Sequence, residues 1–154
     1  MKQKAWMVMM LVGLALGARA ELNWSEDFPA ASKRAADEQK YMLLNFTGSD
    51  WCGWCIKLDN EVFSQTAFQD YANKELVMVK IDFPRRKQLS PGVVQQNDGL
   101  QEKYGVMGYP TILIVAPDGS TVERTGYQPG GPEAYVEHVK SIIENHRRTS
   151  ATAE

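Results

Sequence analysis

The chain has 154 residues with 17 basic and 19 acidic side chains, which gives a formal net charge of −2. This length allows one domain with a single hydrophobic core. The charge balance excludes the strongly basic proteins that bind nucleic acid through its phosphates.

Residues 1–20 have the pattern of a secretory signal peptide. Two lysines precede an apolar run at residues 5–17, and Ala18-Arg19-Ala20 provides a small-residue cleavage site. We therefore expect cleavage after Ala20 and a periplasmic or secreted location. The run is shorter than the roughly 20 residues that cross a bilayer, but Arg19 inside the cleavage motif leaves an uncleaved membrane anchor as the alternative. Cleavage leaves 14 basic and 19 acidic side chains, a net charge of −5, which argues further against nucleic acid.

Residues 21–147 are predicted to form one domain in which helices and strands alternate. The predicted helices cover residues 24–40, 53–63, 64–74 with Ser64 as N-cap, 98–104, and a final helix with Pro132 in its first turn. The predicted strands cover residues 41–46, 76–82, 111–115 and 121–125, the last two joined by an Asp-Gly hairpin turn at 117–120. Residues 83–97 hold two prolines and a basic triplet and are predicted as a loop, and the polar residues 148–154 as a disordered tail.

Both cysteines, Cys52 and Cys55, lie in one C-x-x-C between the strand predicted at 41–46 and the following helix. Cys52 would occupy the helix N-terminus, where free backbone amides and the helix dipole favour a thiolate over a thiol. Cys55 shares an apolar stripe with Leu58 and Val62, so we expect it to face the core. The pattern predicts Cys52 as the attacking thiol and Cys55 as the resolving thiol.

A stabilising disulfide, a zinc site and a pair of inert thiols are weaker interpretations of the two cysteines. A disulfide that closes a four-residue loop stabilises a fold by only about 2 kcal/mol in the chain-entropy model. A zinc site needs four ligands, whereas the two histidines, His138 and His146, lie near the C-terminus without a second cysteine pair, so no metal is expected. Two inert thiols fit poorly with an exported protein, because disulfides form and persist in oxidising compartments.

The chain resembles the thioredoxin-like family over nearly the whole of residues 21–147. The resemblance rests on Trp-Cys-Gly-x-Cys at 51–55, the aspartate-terminated strand at 77–82, Lys103-Tyr104-Gly105-Val106, Tyr109-Pro110-Thr111 and the Asp-Gly hairpin. It implies an α/β fold with a central mixed β-sheet flanked by helices, closed by a C-terminal β-hairpin and helix.

The resemblance also implies a substrate site. In the family the proline that matches Pro110 is cis and lies against the disulfide, where the backbone of Tyr109 offers an edge to an extended substrate. Tyr109, Trp51 and Trp54 would form an aromatic rim that favours a binding surface. The expected substrate-binding residues are therefore Trp51, Gly53, Trp54, Tyr109 and Pro110.

Three features depart from the commonest family pattern. Gly53-Trp54 replaces Gly-Pro between the cysteines, so the Trp54 amide can donate a hydrogen bond to Cys52 and favour the reduced form. The loop at residues 83–97 is longer than its thioredoxin counterpart. Asn45 matches the buried aspartate of the family only approximately, with one residue more before Cys52, and Asp50 and Asp82 are the acids considered as proton acceptors for Cys55.

Together these features predict an exported thiol–disulfide oxidoreductase that needs no cofactor. Cys52 would attack a substrate disulfide and Cys55 would release the product, and the reverse direction would oxidise dithiols. The expected partners are protein thiols and disulfides, with a membrane or periplasmic redox protein as a further candidate, and neither nucleic acid nor stable membrane insertion after cleavage. The alternative is a non-enzymatic binding module that docks partners on the same scaffold and carries an incidental disulfide.

Overall fold

The computed structural model describes residues 21–152, so the signal peptide predicted at residues 1–20 lies outside the described residues. Within this range the strands are Trp24–Ser25 (β1), Tyr41–Thr47 (β2), Leu76–Asp82 (β3), Thr111–Val115 (β4) and Thr121–Thr125 (β5). The α-helices are Phe28–Glu38 (α1), Gly53–Leu58 (α2), Thr66–Glu75 (α3), Pro91–Tyr104 (α4) and Gly131–Ala151 (α5). A π-helical segment, Asp59–Phe63, continues α2.

The strands form one mixed sheet in the order β1-β3-β2-β4-β5. β3 pairs in parallel with both β1 and β2, whereas β4 is antiparallel to β2 and to β5. All seven residues of β2 are buried, as expected for a central strand with both faces covered. This arrangement confirms the predicted fold class.

Helices cover both faces of the sheet. Met42, Leu44 and Phe46 of β2 belong to the core that also contains buried residues of α1 and α4. Leu43 belongs to the core on the other face, which includes α3, α5 and the π-helical segment. Because alternate side chains of a strand point to opposite faces, Asn45 points to the same face as Leu43, toward the helix that follows β2.

The first predicted helix was wrong at its start. Residues 24 and 25 form β1, which pairs with Met78 and Val79 of β3. α1 begins only at Phe28, because the Asp27 side chain caps it by accepting a hydrogen bond from the Ala30 amide at 2.9 Å. A two-residue strand has no periodicity of its own, so only the paired neighbour defines it.

The starts of α3 and α4 also differ from the prediction. The N-cap position of α3 is occupied by Gln65 and not by Ser64. The Ser64 amide instead donates to the carbonyl of Asp59, the first residue of the π-helical segment. The loop predicted at residues 83–97 ends at Ser90, because Ser90 caps α4 and Pro91 occupies its first turn.

The tail predicted to be disordered from residue 148 is helical as far as Ala151. The last turns of α5 are anchored just before this point, where Tyr41 and His146 share a 2.9 Å hydrogen bond. None of the helices within residues 21–152 combines the length and apolar composition that a membrane span requires.

Candidate active site

Cys52 and Cys55 form a disulfide at the start of α2. Cys52 is the N-cap residue, with an extended backbone, and its Sγ accepts a 3.3 Å hydrogen bond from the Cys55 amide rather than from that of Trp54. Cys55 is 5% and Cys52 7% exposed, and Cys55 lies on the same side of the helix as Leu58 and Val62, both buried. The structure thus confirms the predicted placement of a helix-end cysteine and an inward-facing one.

The turn before the motif depends on Gly48, the glycine of a Gly-x-x-Trp-Cys-x-x-Cys pattern. The amides of Trp51 and Cys52 both donate to the Gly48 carbonyl, at 3.2 and 2.8 Å. A Cβ at Gly48 would lie 2.4 Å from an indole carbon of Trp51. Only glycine therefore lets the Trp51 ring fold back over this turn and bring Cys52 to the end of α2.

Trp51 is held from three sides. Its indole Nε1 donates to the Phe83 carbonyl at 2.7 Å, its ring contacts Tyr109 edge-on at 5.9 Å between centroids, and the Arg85 guanidinium lies 3.9 Å from its ring centroid. Trp54 is 59% exposed and contacts Tyr127 instead. The expected aromatic rim is therefore divided, with Trp51 and Tyr109 in one group and Trp54 in another.

Pro110 follows a cis peptide bond with Tyr109, as the resemblance implies. The Tyr109 hydroxyl donates to Gln101 of α4 at 2.7 Å, and its ring contacts Phe83 at 5.3 Å between centroids. Met107, in the segment that leads into this bond, is 98% exposed. The side chains around the cis proline are thus partly anchored and partly open to solvent.

Asp50 fastens the segment after β3 to the active-site turn. Its carboxylate accepts hydrogen bonds from the backbone amides of Arg85, Arg86 and Lys87, at 2.9, 2.7 and 3.2 Å. These amides, with the Arg85 amide contributing most, lower the pKa of the Asp50 carboxyl. The contact spans 35 residues of sequence, so no local pattern signals it.

We expect Asp50→Asn to lose less stability than the wild type when the pH is lowered from 7 to 3. The folded-state pKa of Asp50 is lowered, so its carboxylate adds stability above its unfolded-state pKa, about 3.9, and loses this contribution as the pH falls through the lowered folded value. Urea midpoints at pH 7 and pH 3 should therefore differ less in Asp50→Asn than in the wild type. Asp70→Asn, which removes an exposed aspartate of α3, is the matched control and should keep the wild-type difference. Equal differences in all three proteins would contradict the role of the amide contacts.

A polar cavity of about 120 Å³ adjoins Cys55. Its lining consists of Asn45, Thr47, Ser49, Cys55, Ile56, Asp59 and Lys80. Asn45 is 5% exposed, and its Oδ1 has no hydrogen-bond partner within the described residues. The neutral side chain thus occupies a buried position next to the resolving cysteine.

Asp50 and Asp82, the two acids considered from the sequence, do not line this cavity. Asp50 is engaged with the amides at 85–87, and the Asp82 carboxylate accepts hydrogen bonds from the amide and hydroxyl of Ser49. The acid that does line the cavity is Asp59, which was not predicted although it lies four residues after Cys55 on the same helix face. Across residues 21–152, no group of His, Cys, Asp and Glu is arranged to hold a metal ion.

The fold and motif agree with known proteins. A family model described as a thioredoxin-like domain matches residues 28–140. The disulfide bond reductase DsbH of Chlamydia pneumoniae is 36% identical over 126 residues, which cover 82% of this chain and 75% of the relative.

Solved structures agree as well. The structure of a DsbH oxidoreductase has a TM-score of 0.78 and 32% identity, covering 92% of this chain and 95% of its own. A thioredoxin from Thermus thermophilus, at 19% identity, shares the fold with a TM-score of 0.60 over 88% of this chain and 95% of its own. Together with the C-x-x-C disulfide, these matches identify a thiol–disulfide oxidoreductase that belongs to the thioredoxin-like family.

Proposed function

We propose that this protein is an exported disulfide reductase in which Cys52 is the nucleophile and Cys55 the resolving thiol. Position on the helix carries the assignment of roles, since both cysteines are buried, Cys52 at 7% and Cys55 at 5% exposed. The Cys52 Sγ caps the helix that begins at Gly53, whereas Cys55 lies within its first turn. The direction of the reaction rests on the similarity to the chlamydial reductase. Export rests on the sequence pattern of residues 1–20.

The reaction begins with the reduced protein. The Cys52 thiolate, stabilised by the helix end, attacks one sulfur of a substrate disulfide and forms a mixed disulfide, and the other substrate sulfur leaves as a thiolate. Cys55 then attacks the Cys52 Sγ, which forms the Cys52–Cys55 disulfide and releases the second substrate sulfur. A redox partner in the same compartment must supply two electrons to restore the dithiol.

The proposed substrate site surrounds the Cys52 sulfur. Gly53 leaves open space beside it, since nothing lies within 4 Å of where a Cβ would be. We expect an extended protein substrate to pair with the backbone at Tyr109 and Pro110 and to contact the exposed ring of Trp54. Trp51 is packed between Arg85 and Tyr109, so its main contribution is to hold the Cys52 turn against the cis-proline segment.

The reduction potential of the Cys52–Cys55 pair tests the proposed direction. Potentials in this family range from about −270 mV for thioredoxin to about −120 mV for a strong oxidant. We expect this protein to equilibrate below about −200 mV in glutathione buffers, because a reductase must hold its electrons less tightly than its substrates do. A potential near −120 mV would identify an oxidase and contradict the proposal.

A further inference from the structure

The proposed reaction leaves one requirement unexplained, the loss of a proton from Cys55. This thiol is 5% exposed, and burial disfavours the charged thiolate that must attack the mixed disulfide. Asn45, which lies at the buried position beside it, has an amide that cannot accept a proton as a carboxylate does. A different base must therefore serve Cys55 if the proposed function holds.

The cavity beside Cys55 provides a path for such a proton. A volume of about 120 Å³ with a polar lining has room for several water molecules. The buried Asn45 Oδ1 borders it without a protein partner, and buried polar atoms of this kind are satisfied by water. Water hydrogen-bonded to Asn45 would lie between the Cys55 thiol and the rest of the lining.

Asp59 supplies a carboxylate to the same cavity. Its backbone amide donates to the Cys55 carbonyl, which fixes the two residues one turn apart, and its own carbonyl closes the π-helical segment by accepting from the Ser64 amide at 2.8 Å. Within residues 21–152 its carboxylate has no hydrogen bond or ion pair with protein. Because Asp59 is exposed, it can pass a proton on to bulk solvent.

Lys80 supplies the only basic side chain among the residues that line this cavity. It lies opposite Asn45 in the pairing of β2 with β3, is half-buried, and makes no ion pair within the described residues. Its ammonium lies 5.5 Å from the centroid of the Trp24 ring. Lys80 thus places a positive charge on the wall of the cavity that Cys55 and Asp59 also line. Two other charged residues nearby, Lys57 and Glu61, form an ion pair with each other, and Glu61 also accepts a hydrogen bond from the Tyr127 hydroxyl.

We propose that Asp59 is the proton acceptor for Cys55, through water in this cavity. In the resolving step the Cys55 thiol gives its proton through water to an Asp59 oxygen. The resulting thiolate attacks the Cys52 Sγ, the Cys52–Cys55 bond forms, and the bond from Cys52 to the substrate sulfur breaks. The substrate leaves as a thiolate, which takes up a proton from Asp59 or from solvent. The acid of the site thus lies on the active-site helix rather than on the central strand.

Stopped-flow kinetics of a single turnover with a disulfide-bonded peptide test this proposal. The attack of Cys52 depends on peptide concentration, whereas resolution by Cys55 does not, so the two rates can be separated. At pH 7 we expect Asp59→Asn to slow resolution by roughly ten- to a hundredfold, because general bases typically accelerate a step by about a hundredfold or more. The rate of attack by Cys52 should change much less. The deficit should shrink as the pH rises, because hydroxide replaces the carboxylate. Asp59→Glu should restore most of the rate.

Two further variants separate a proton path from a structural effect. Asn45→Asp introduced into Asp59→Asn should recover resolution, because it returns a carboxylate to the same cavity. Asp70→Asn, the exposed control on α3, should resolve at the wild-type rate. Equal resolution rates in wild type and Asp59→Asn at every pH would overturn the assignment of Asp59 while leaving the proposed function intact. Absence of an attack phase in the wild type would overturn the proposed function itself.

Discussion

We expect Cys52→Ser to abolish disulfide exchange, and Cys55→Ser to attack its substrate and then hold it as a mixed disulfide. A serine hydroxyl does not replace the thiolate that the start of α2 stabilises, so the first variant should fall to the uncatalysed rate. The second variant keeps Cys52 at the helix end but lacks the inward thiol that releases the product. Mass spectrometry after trapping with a disulfide-bonded peptide should show an adduct on Cys55→Ser alone.

The position of the adduct checks the assignment of roles. Wild-type protein should show little adduct, because Cys55 resolves it. Peptide mapping of the Cys55→Ser adduct should place the substrate on Cys52. An adduct retained on Cys55 in Cys52→Ser, with none in Cys55→Ser, would reverse the two roles and contradict the mechanism.

Phe63→Ala should lower the free energy of unfolding by about 3–5 kcal/mol, the usual cost of truncating a buried phenylalanine. Phe63 ends the π-helical segment that continues the active-site helix, and it is 2% exposed. Its ring contacts Trp24, Phe68 and Tyr135, with centroids 5.4, 5.1 and 5.9 Å away. The alanine leaves a cavity where β1, α3 and α5 meet. Urea unfolding followed by circular dichroism measures the loss.

A surface truncation provides the matched control for this variant. Val94 of α4 is 43% exposed, so Val94→Ala should change the free energy of unfolding by no more than about 0.5 kcal/mol. A loss below about 1 kcal/mol in Phe63→Ala would contradict the view that this side chain joins the active-site helix to the core.

Local patterns were sufficient to predict the elements that carry the redox centre. The apolar run at residues 41–46 and the stripe formed by Cys55, Leu58 and Val62 predict β2 and the helix after it, and the structure has both. The cis bond before Pro110 was implied by the family resemblance and is present. Each of these features depends on residues that are close in sequence or on a motif with fixed spacing.

Features that depend on tertiary pairing were not predicted. β1 exists only because two residues pair with β3. The cavity beside Cys55 brings together Asn45, Asp59 and Lys80 from a strand, a helix and the neighbouring strand. The sequence analysis considered Asp50 and Asp82 as proton acceptors, yet their carboxylates are engaged by backbone amides at 85–87 and by Ser49. Asp59, which is nearer to Cys55 in sequence than either of them, lines the cavity instead, because residues one helical turn apart share a helix face.

Catalysed reduction of insulin by dithiothreitol shows whether the Cys52–Cys55 pair exchanges disulfides with a protein substrate. If it does, the wild-type protein should shorten the time before insulin B chains precipitate, in proportion to its concentration. Cys52→Ser, which keeps the scaffold but not the nucleophile, should leave the onset at that of dithiothreitol alone. A wild-type protein that gives the same onset as Cys52→Ser would contradict such exchange and indicate a binding module with an incidental disulfide.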